Sequence, residues 1–276
     1  IFIILILQPY YLNWLGVGAE DPVAENVVNK VASPPIQGAF DPPISLPIQK
    51  IANNIPVQKY IVDTDLFTAV FTNQGGGSFS SLLLREQNAN GFRYLGSYDE
   101  SGEYVPGEPV LLTSAEGSGC TPCLSAYDAQ NDEYLKYDQP FSPTVNGFPP
   151  RVSLSGDDSY TFSFFHIDRG GFEIKKSITF FGDSYETVHS FSLNNNINFP
   201  GEDLELMWFG GLRPTEKIHD DDVSYASAIA GQSSETEAIS LTSPDERLDR
   251  SVLDGNTDWV SIRSKYFTAA LIADTP

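Results

Sequence analysis

Leu66-Phe67-Thr68-Ala69-Val70-Phe71 alternates with a period of two, and the turn Asn73-Gln74-Gly75-Gly76-Gly77 leads from it into a second apolar run, Phe79 to Leu84. On an extended chain successive side chains leave opposite faces. Phe67, Ala69 and Phe71 therefore share one face while Leu66 and Val70 lie on the other, so both faces of this strand are covered. Repeated glycine permits the positive φ that a tight reversal needs. The pattern continues outward from this hairpin. Tyr160 to Ile167 and Phe172 to Phe181 read as a second hairpin across Asp168-Arg169-Gly170-Gly171, and Tyr185 to Leu193 follows Gly182-Asp183-Ser184 as a third strand. Leu204 to Phe209 and Glu237 to Thr242 are further strands. Thr257 to Ala273 suits a strand followed by a short helix, because Tyr266 to Ile272 fits either state. Asp128 to Pro150 and the acidic Asp220-Asp221-Asp222 are expected in loops. Many strands, Gly-rich turns and no alternating helices predict an all-β sandwich over residues 57–276.

The segments before this body differ in kind. Residues 1–7 are all apolar, and Gln8, Pro9, Tyr10, Tyr11 and Trp14 follow. A complete span needs roughly 20 apolar residues, so residues 1–16 read as the end of a transmembrane helix with aromatic residues at the interface, in preference to a signal-peptide remnant or a buried strand. Residues 17–56 read as a linker, because Pro22, Pro34, Pro35, Pro42, Pro43, Pro47 and Pro56 interrupt every short apolar run. One short helix is expected near residues 23–31, before Ser33-Pro34-Pro35. Across 276 residues, 16 Lys and Arg face 37 Asp and Glu, a net charge of −21. Such a charge repels nucleic acid and anionic lipid and excludes non-specific binding to either. A hydrophobic share of 41% is enough for a substantial core.

Residues able to carry chemistry are few. Cys120-Thr121-Pro122-Cys123 admits a loop-stapling disulfide, a free thiol pair, half a zinc site or a redox pair. The disulfide is favoured, since no βαβ pattern surrounds the motif and no second CxxC exists to complete four zinc ligands. His166, His189 and His219 form no short HxH or HxxxH pair. His166 and His189 fall on neighbouring strands, where Glu173, Glu186 or Glu205 would have to join them for acid–base work. Asp220 to Asp222 lacks the ligand spacing of a calcium loop, and no Gly-Lys-Ser/Thr follows Gly75 to Gly77. No catalytic residue, cofactor site or metal site is therefore expected.

Four segments together resemble the first large extracytoplasmic domain of the YidC family of membrane protein insertases, in its bacterial form. They are Val62 to Gly76, Phe172 to Phe180 with Asp183-Ser184-Tyr185, Trp208 to Leu212, and Asp258 to Ile272. Their order agrees with the family, and the last is the most specific. The resemblance implies a β-supersandwich of the galactose-mutarotase type with a short C-terminal helical element. It also implies a piece of a longer inner-membrane protein, this domain lying in the periplasm, with hydrophobic spans beyond Pro276. The implied activity is insertion and folding of nascent inner membrane proteins, alone or with Sec translocon components, at the lipid membrane and without nucleic acid. Asp65, Gly75, Gly76, Trp208, Gly210, Trp259, Lys265, Tyr266 and Phe267 are the structural positions of the family motifs. Trp259 and Lys265 to Ala270 are expected to pack the end of the domain. The alternatives are a carbohydrate-binding or mutarotase-like protein and a tethered structural or adhesion domain. The acidity fits a salty habitat in which screening, from ~30 Å at 0.01 M to ~3 Å at 1 M, relieves self-repulsion. Urea denaturation across a sodium chloride series is expected to show stability rising with salt, and a fall would overturn that reading.

Overall fold

The computed structural model describes residues 55–99, 101–114, 120–128, 133–167, 171–194, 204–233, 235–240 and 257–273. The expected anchor over 1–16, almost all of the linker and the helix near 23–31 lie outside these residues. Among the described residues, no helix is long and apolar enough to cross a membrane.

The architecture is all-β with several sheets. The first has the order β12 (Arg151–Ser153), β1 (Lys59–Asp63), β2 (Phe67–Thr72), β3 (Ser78–Leu84) and β8 (Leu111–Ser114). All its pairings are antiparallel except β1 with β12, where Ile61 is level with Arg151. The second has the order β11 (Ser142–Pro143), β13 (Ser159–Ile167), β14 (Glu173–Phe181) and β15 (Thr187–Leu193). A third joins β10 (Glu133–Lys136), β9 (Cys123–Asp128) and β16 (Leu204–Met207). A fourth has the order β18 (Glu235–Ser240), β17 (Ser227–Gln232), β19 (Trp259–Arg263) and β20 (Thr268–Ile272). Two ribbons complete the body, β4 (Gln87–Asn88) with β5 (Gly91–Phe92) and β6 (Leu95–Tyr98) with β7 (Tyr104–Pro109).

The first two sheets face each other across an aromatic core. Phe67, Ala69 and Phe71 are fully buried, as their parity predicts. Across the layer, the Phe71 ring centroid lies 4.9 Å from Phe162 and 5.4 Å from Phe180. Tyr60 lies 5.6 Å from Phe162 and 5.8 Å from Phe164. Tilted and edge-on contacts of this kind add to area burial because ring edges are positive and ring faces negative. At the sheet margin Asp63 ties β1 to its neighbours. Its carboxylate accepts from Thr68 Oγ1 at 2.7 Å, Arg85 Nη1 at 3.1 Å and Arg151 Nε at 2.5 Å.

Three sequence expectations are corrected. Among the described residues there is no C-terminal helical element: Thr268–Ile272 is a strand, paired antiparallel with β19 from Trp259↔Ile272 to Arg263↔Thr268. Ala and Leu favour helix only weakly, and a ready sheet edge outweighs that preference. Asp220 to Asp222 is not a loop but lies in the helix α1 (His219–Tyr225). Carboxylates are favourable in a first helical turn, and Asp222 Oδ2 accepts from the amides of Thr215 at 2.7 Å and Glu216 at 2.9 Å. The polar stretch from 128 to 150 contains β10 and β11 and buries Tyr137 and Phe141 in the core.

The turn at Gly75 to Gly77 is where the two facing sheets lock. All three glycines have positive φ, +55°, +69° and +112°. A Cβ on Gly76 would lie 2.9 Å from Phe141 Cδ2, and one on Gly77 would run into Ile178 Cδ1. Gly77→Ala therefore combines backbone strain with overpacking and is expected to cost about 3 kcal/mol. Gly102→Ala, at φ +83° but with open space around it, is expected to cost about 1 kcal/mol. Urea unfolding of the two variants measures the difference.

Candidate functional site

The alternation of β14 places Ile174, Lys176, Ile178 and Phe180 on the core face. Lys176 is only 1% exposed. Its Nζ donates to Pro122 O at 2.7 Å, Gly77 O at 3.1 Å and Gly75 O at 3.2 Å, and lies 5.4 Å from the Phe191 ring centroid. Among the described residues no carboxylate pairs with it. Burial away from water disfavours the ammonium and lowers its pKa to about 7. Pro122 lies between Cys120 and Cys123, which are joined by a disulfide with Cα atoms 4.4 Å apart. The Cys120 carbonyl accepts from the Phe209 amide at 2.7 Å, which fixes the segment leaving β16.

That segment borders a cleft of about 700 Å³. Its floor is apolar: Leu82 and Leu84 of β3, Leu112 of β8, and the rings of Phe67 and Phe79. Tyr185, Glu186, Thr187 and His189 contribute a second wall, Trp208, Gly211 and Leu212 a third, and Tyr266 to Ile272 a fourth. An adjoining cavity of about 300 Å³ shares Leu206, Trp208 and Ala269 to Leu271, and reaches Ala230 and Val260 of the fourth sheet. Mostly apolar walls with a few polar groups are the usual composition of a binding site.

The polar groups do not form a reacting set. His189 Nε2 lies 3.1 Å from Thr187 Oγ1, while its Nδ1 is sealed from solvent with no hydrogen-bond partner among the described residues. Burial first, and then the nearby Lys176 charge, lower its pKa to about 3, so the ring is neutral. His166 is not beside it. β14 intervenes, and His166 is level with Ile174 whereas His189 is level with Ile178. Four residue rows, about 13 Å along the strands, and two strand spacings, about 10 Å across them, separate the two residues. His166 Nε2 instead meets Gln139 Nε2 at 2.8 Å and stacks on Phe141. Glu173 pairs with Lys175 at 3.3 Å, and Glu205 accepts from Ser125 Oγ at 3.4 Å. No cluster of three or more metal-capable side chains occurs among the described residues. The arrangement can bind an apolar group; its one hydroxyl–imidazole pair, Thr187 with His189, has no third group on Nδ1 to orient the ring among the described residues.

The motif residues fall into two groups. Trp208, Tyr266 and Phe267 line the cleft. The Trp208 ring lies 6.2 Å from Phe79, and its Nε1 is buried without a hydrogen-bond partner among the described residues. Phe267 packs edge-on against Tyr94 at 5.6 Å, whereas Tyr266 is 63% exposed. Lys265 Nζ sits 5.1 Å from the Tyr266 ring centroid and 3.9 Å from Glu216 Oε2. The others shape backbone. Asp65 Oδ2 accepts from Gly156 N at 3.0 Å, Gly210 has φ +101°, and Trp259 lies against Gly231, where a Cβ would strike the indole. The residues missed as functional are Lys176 and the apolar floor. Lys176 was detectable, because a lysine at the inward parity of an alternating strand is out of place.

The chain has relatives among known proteins. It is 37% identical to the membrane protein insertase YidC of Prosthecochloris aestuarii, over 76% of this chain and 33% of that protein. It is 32% identical to the insertase of Chlorobium luteolum, over 78% of this chain and 33% of the relative. It is 25% identical to that of Geotalea uraniireducens, over 98% of this chain and 47% of the relative. The chain thus spans about a third to a half of the length of these relatives. No protein-family model matches it.

Acid sensitivity follows from His189. An unfolded histidine takes up a proton near pH 6.5, and this one does so in the fold only near 3. Between those values the unfolded state binds more protons, so stability falls as pH drops from 6.5 towards 3. His189→Phe is expected to reduce that fall by roughly 1–3 kcal/mol, allowing for the partial exposure of the ring. Urea midpoints at pH 7 and pH 4 measure it.

Proposed function

This chain belongs to the YidC family of membrane protein insertases, and from that premise we propose that it supplies the non-catalytic periplasmic domain of an inner-membrane insertase. The observation that carries the reading is the match to insertases across 76–98% of this chain. The facing sheets, with further sheets beside them, support a β-supersandwich of the galactose-mutarotase type. The full protein would insert and fold nascent inner membrane proteins, alone or with Sec translocon components, while this domain acts beside the lipid surface. The apolar cleft supports a role in which contact, not bond-making, is the contribution. The stapling disulfide belongs to the same picture, since extracytoplasmic compartments favour disulfides. A second reading, saccharide binding, draws on Tyr94, Tyr185 and Trp208 in the cleft wall.

Depletion of the native insertase, with complementation by the full-length parent gene, tests the family reading. The full-length form is expected to restore insertion of reporter membrane proteins. A form lacking residues 57–273 that rescues equally well would mark the domain as accessory. Failure of the full-length form, with expression and membrane targeting verified, would overturn the assignment.

A further inference from the structure

Among the described residues, one wall of the cleft is an unpaired sheet edge. In the β19–β20 ladder the Ser264 amide donates to Phe267 O, and the Ala273 amide to Asp258 O, both at 2.9 Å. Antiparallel partners alternate between exchanging two hydrogen bonds and exchanging none. Ala269 and Leu271 therefore turn their backbone groups toward β19, and Thr268, Ala270 and Ile272 turn theirs away. β20 is the outermost strand of its sheet. β15 brings a second open edge to the same cleft. The Asn194 amide donates to Glu173 O at 3.0 Å, so the backbone groups of Thr187 and His189 point outward. The charged residues lining the cleft and the adjoining cavity are Glu186 and Glu237, and neither is in an ion pair among the described residues.

We propose that the cleft captures an extended apolar segment of another polypeptide, bearing a Lys or Arg, which adds to β20 as a further strand. Three features converge on this occupant. The outward amides and carbonyls of Thr268, Ala270 and Ile272 supply the main-chain partners for strand addition. The apolar floor receives alternate side chains. The unpaired carboxylates of Glu186 and Glu237 complement a basic residue and disfavour an acidic one. Size agrees as well: one strand residue fills about 160 Å³ (3.3 Å rise, 4.8 Å spacing, 10 Å depth), so the cleft volume of about 700 Å³ holds about four residues. A sugar would leave the strand edge and the leucine floor unused, and an acyl chain would leave the edge unused. The inference goes beyond the insertase reading and stands on the cleft alone, so either can fail without the other.

The test is tryptophan-fluorescence titration of the 276-residue chain with the capped hexapeptide acetyl-KVTVLV-amide. Parallel arms use the same peptide N-methylated at alternate residues, the peptide with Glu in place of Lys, galactose, and phosphatidylglycerol vesicles. The unmodified peptide is expected to saturate a single site. N-methylation, which removes the donated main-chain bonds, is expected to weaken binding about tenfold or more. Ala270→Pro removes one outward amide at an edge position that tolerates proline and is expected to act likewise, with the fold checked by circular dichroism. Should that variant not fold, the N-methylated peptide on the unaltered chain decides. Equal binding of methylated and unmodified peptides, preference for the Glu peptide, or a response to galactose or vesicles alone would overturn the proposal.

Discussion

A single ammonium group, that of Lys176, organises much of this molecule. It sits on the core face of β14 with three backbone carbonyls around it and, among the described residues, no carboxylate partner. An unpaired charge in such a place is strongly disfavoured unless its hydrogen bonds are met. The carbonyls that meet them come from the turn between β2 and β3 and from the disulfide loop before β9. Two parts of the chain distant in sequence are thus held to the second sheet by one side chain. The same contact explains why the turn consists of glycines: its carbonyls converge on Nζ while its α-carbons press against Phe141 and Ile178. The local backbone follows from the long-range bond as much as the reverse.

The cleft inherits its walls from this node. The disulfide loop fixes the segment after β16 through the Cys120 carbonyl, and that segment carries Trp208 to the cleft. On the other side, Phe191 under the ammonium and His189 two residues earlier place β15. The site is built of floor and backbone edges, with Glu186 the charged side chain among the described residues that line the cleft. That composition separates it from a catalytic pocket, where titratable side chains converge on one point.

Alternation made much of this legible from the residues. Phe67, Ala69 and Phe71 point inward as read, and the two strands expected over 160–181 pair antiparallel from Ser159↔Phe181 to Ile167↔Glu173, residues 168–170 of the expected turn lying outside the described residues. Parity also marks Lys176 as anomalous, a lysine on the inward face of an alternating strand. Other features were hidden for physical reasons. Thr268-Ala269-Ala270-Leu271-Ile272 carries no decisive local preference, and its state is set by the edge that β19 offers. Tyr137 and Phe141 lie in a polar stretch without periodicity, and their burial depends on sheets formed elsewhere. The separation of His166 from His189 depends on register, which no count of strands supplies.

The parallel pairing of β1 with β12 has a consequence for how the chain comes to be folded. Val62, at the start of the body, is level with Val152, ninety residues later. Asp63 likewise waits for Arg151. At roughly 5–20 residues per second of synthesis, the partner of the first strand emerges many seconds after that strand does. During that interval the margin of β1 that Arg151–Ser153 will occupy is open, and the hairpin of β2 and β3 has no opposing layer from β13 and β14. A chain made in this order has an early half that cannot close on itself, and its topology makes completion a late, long-range event.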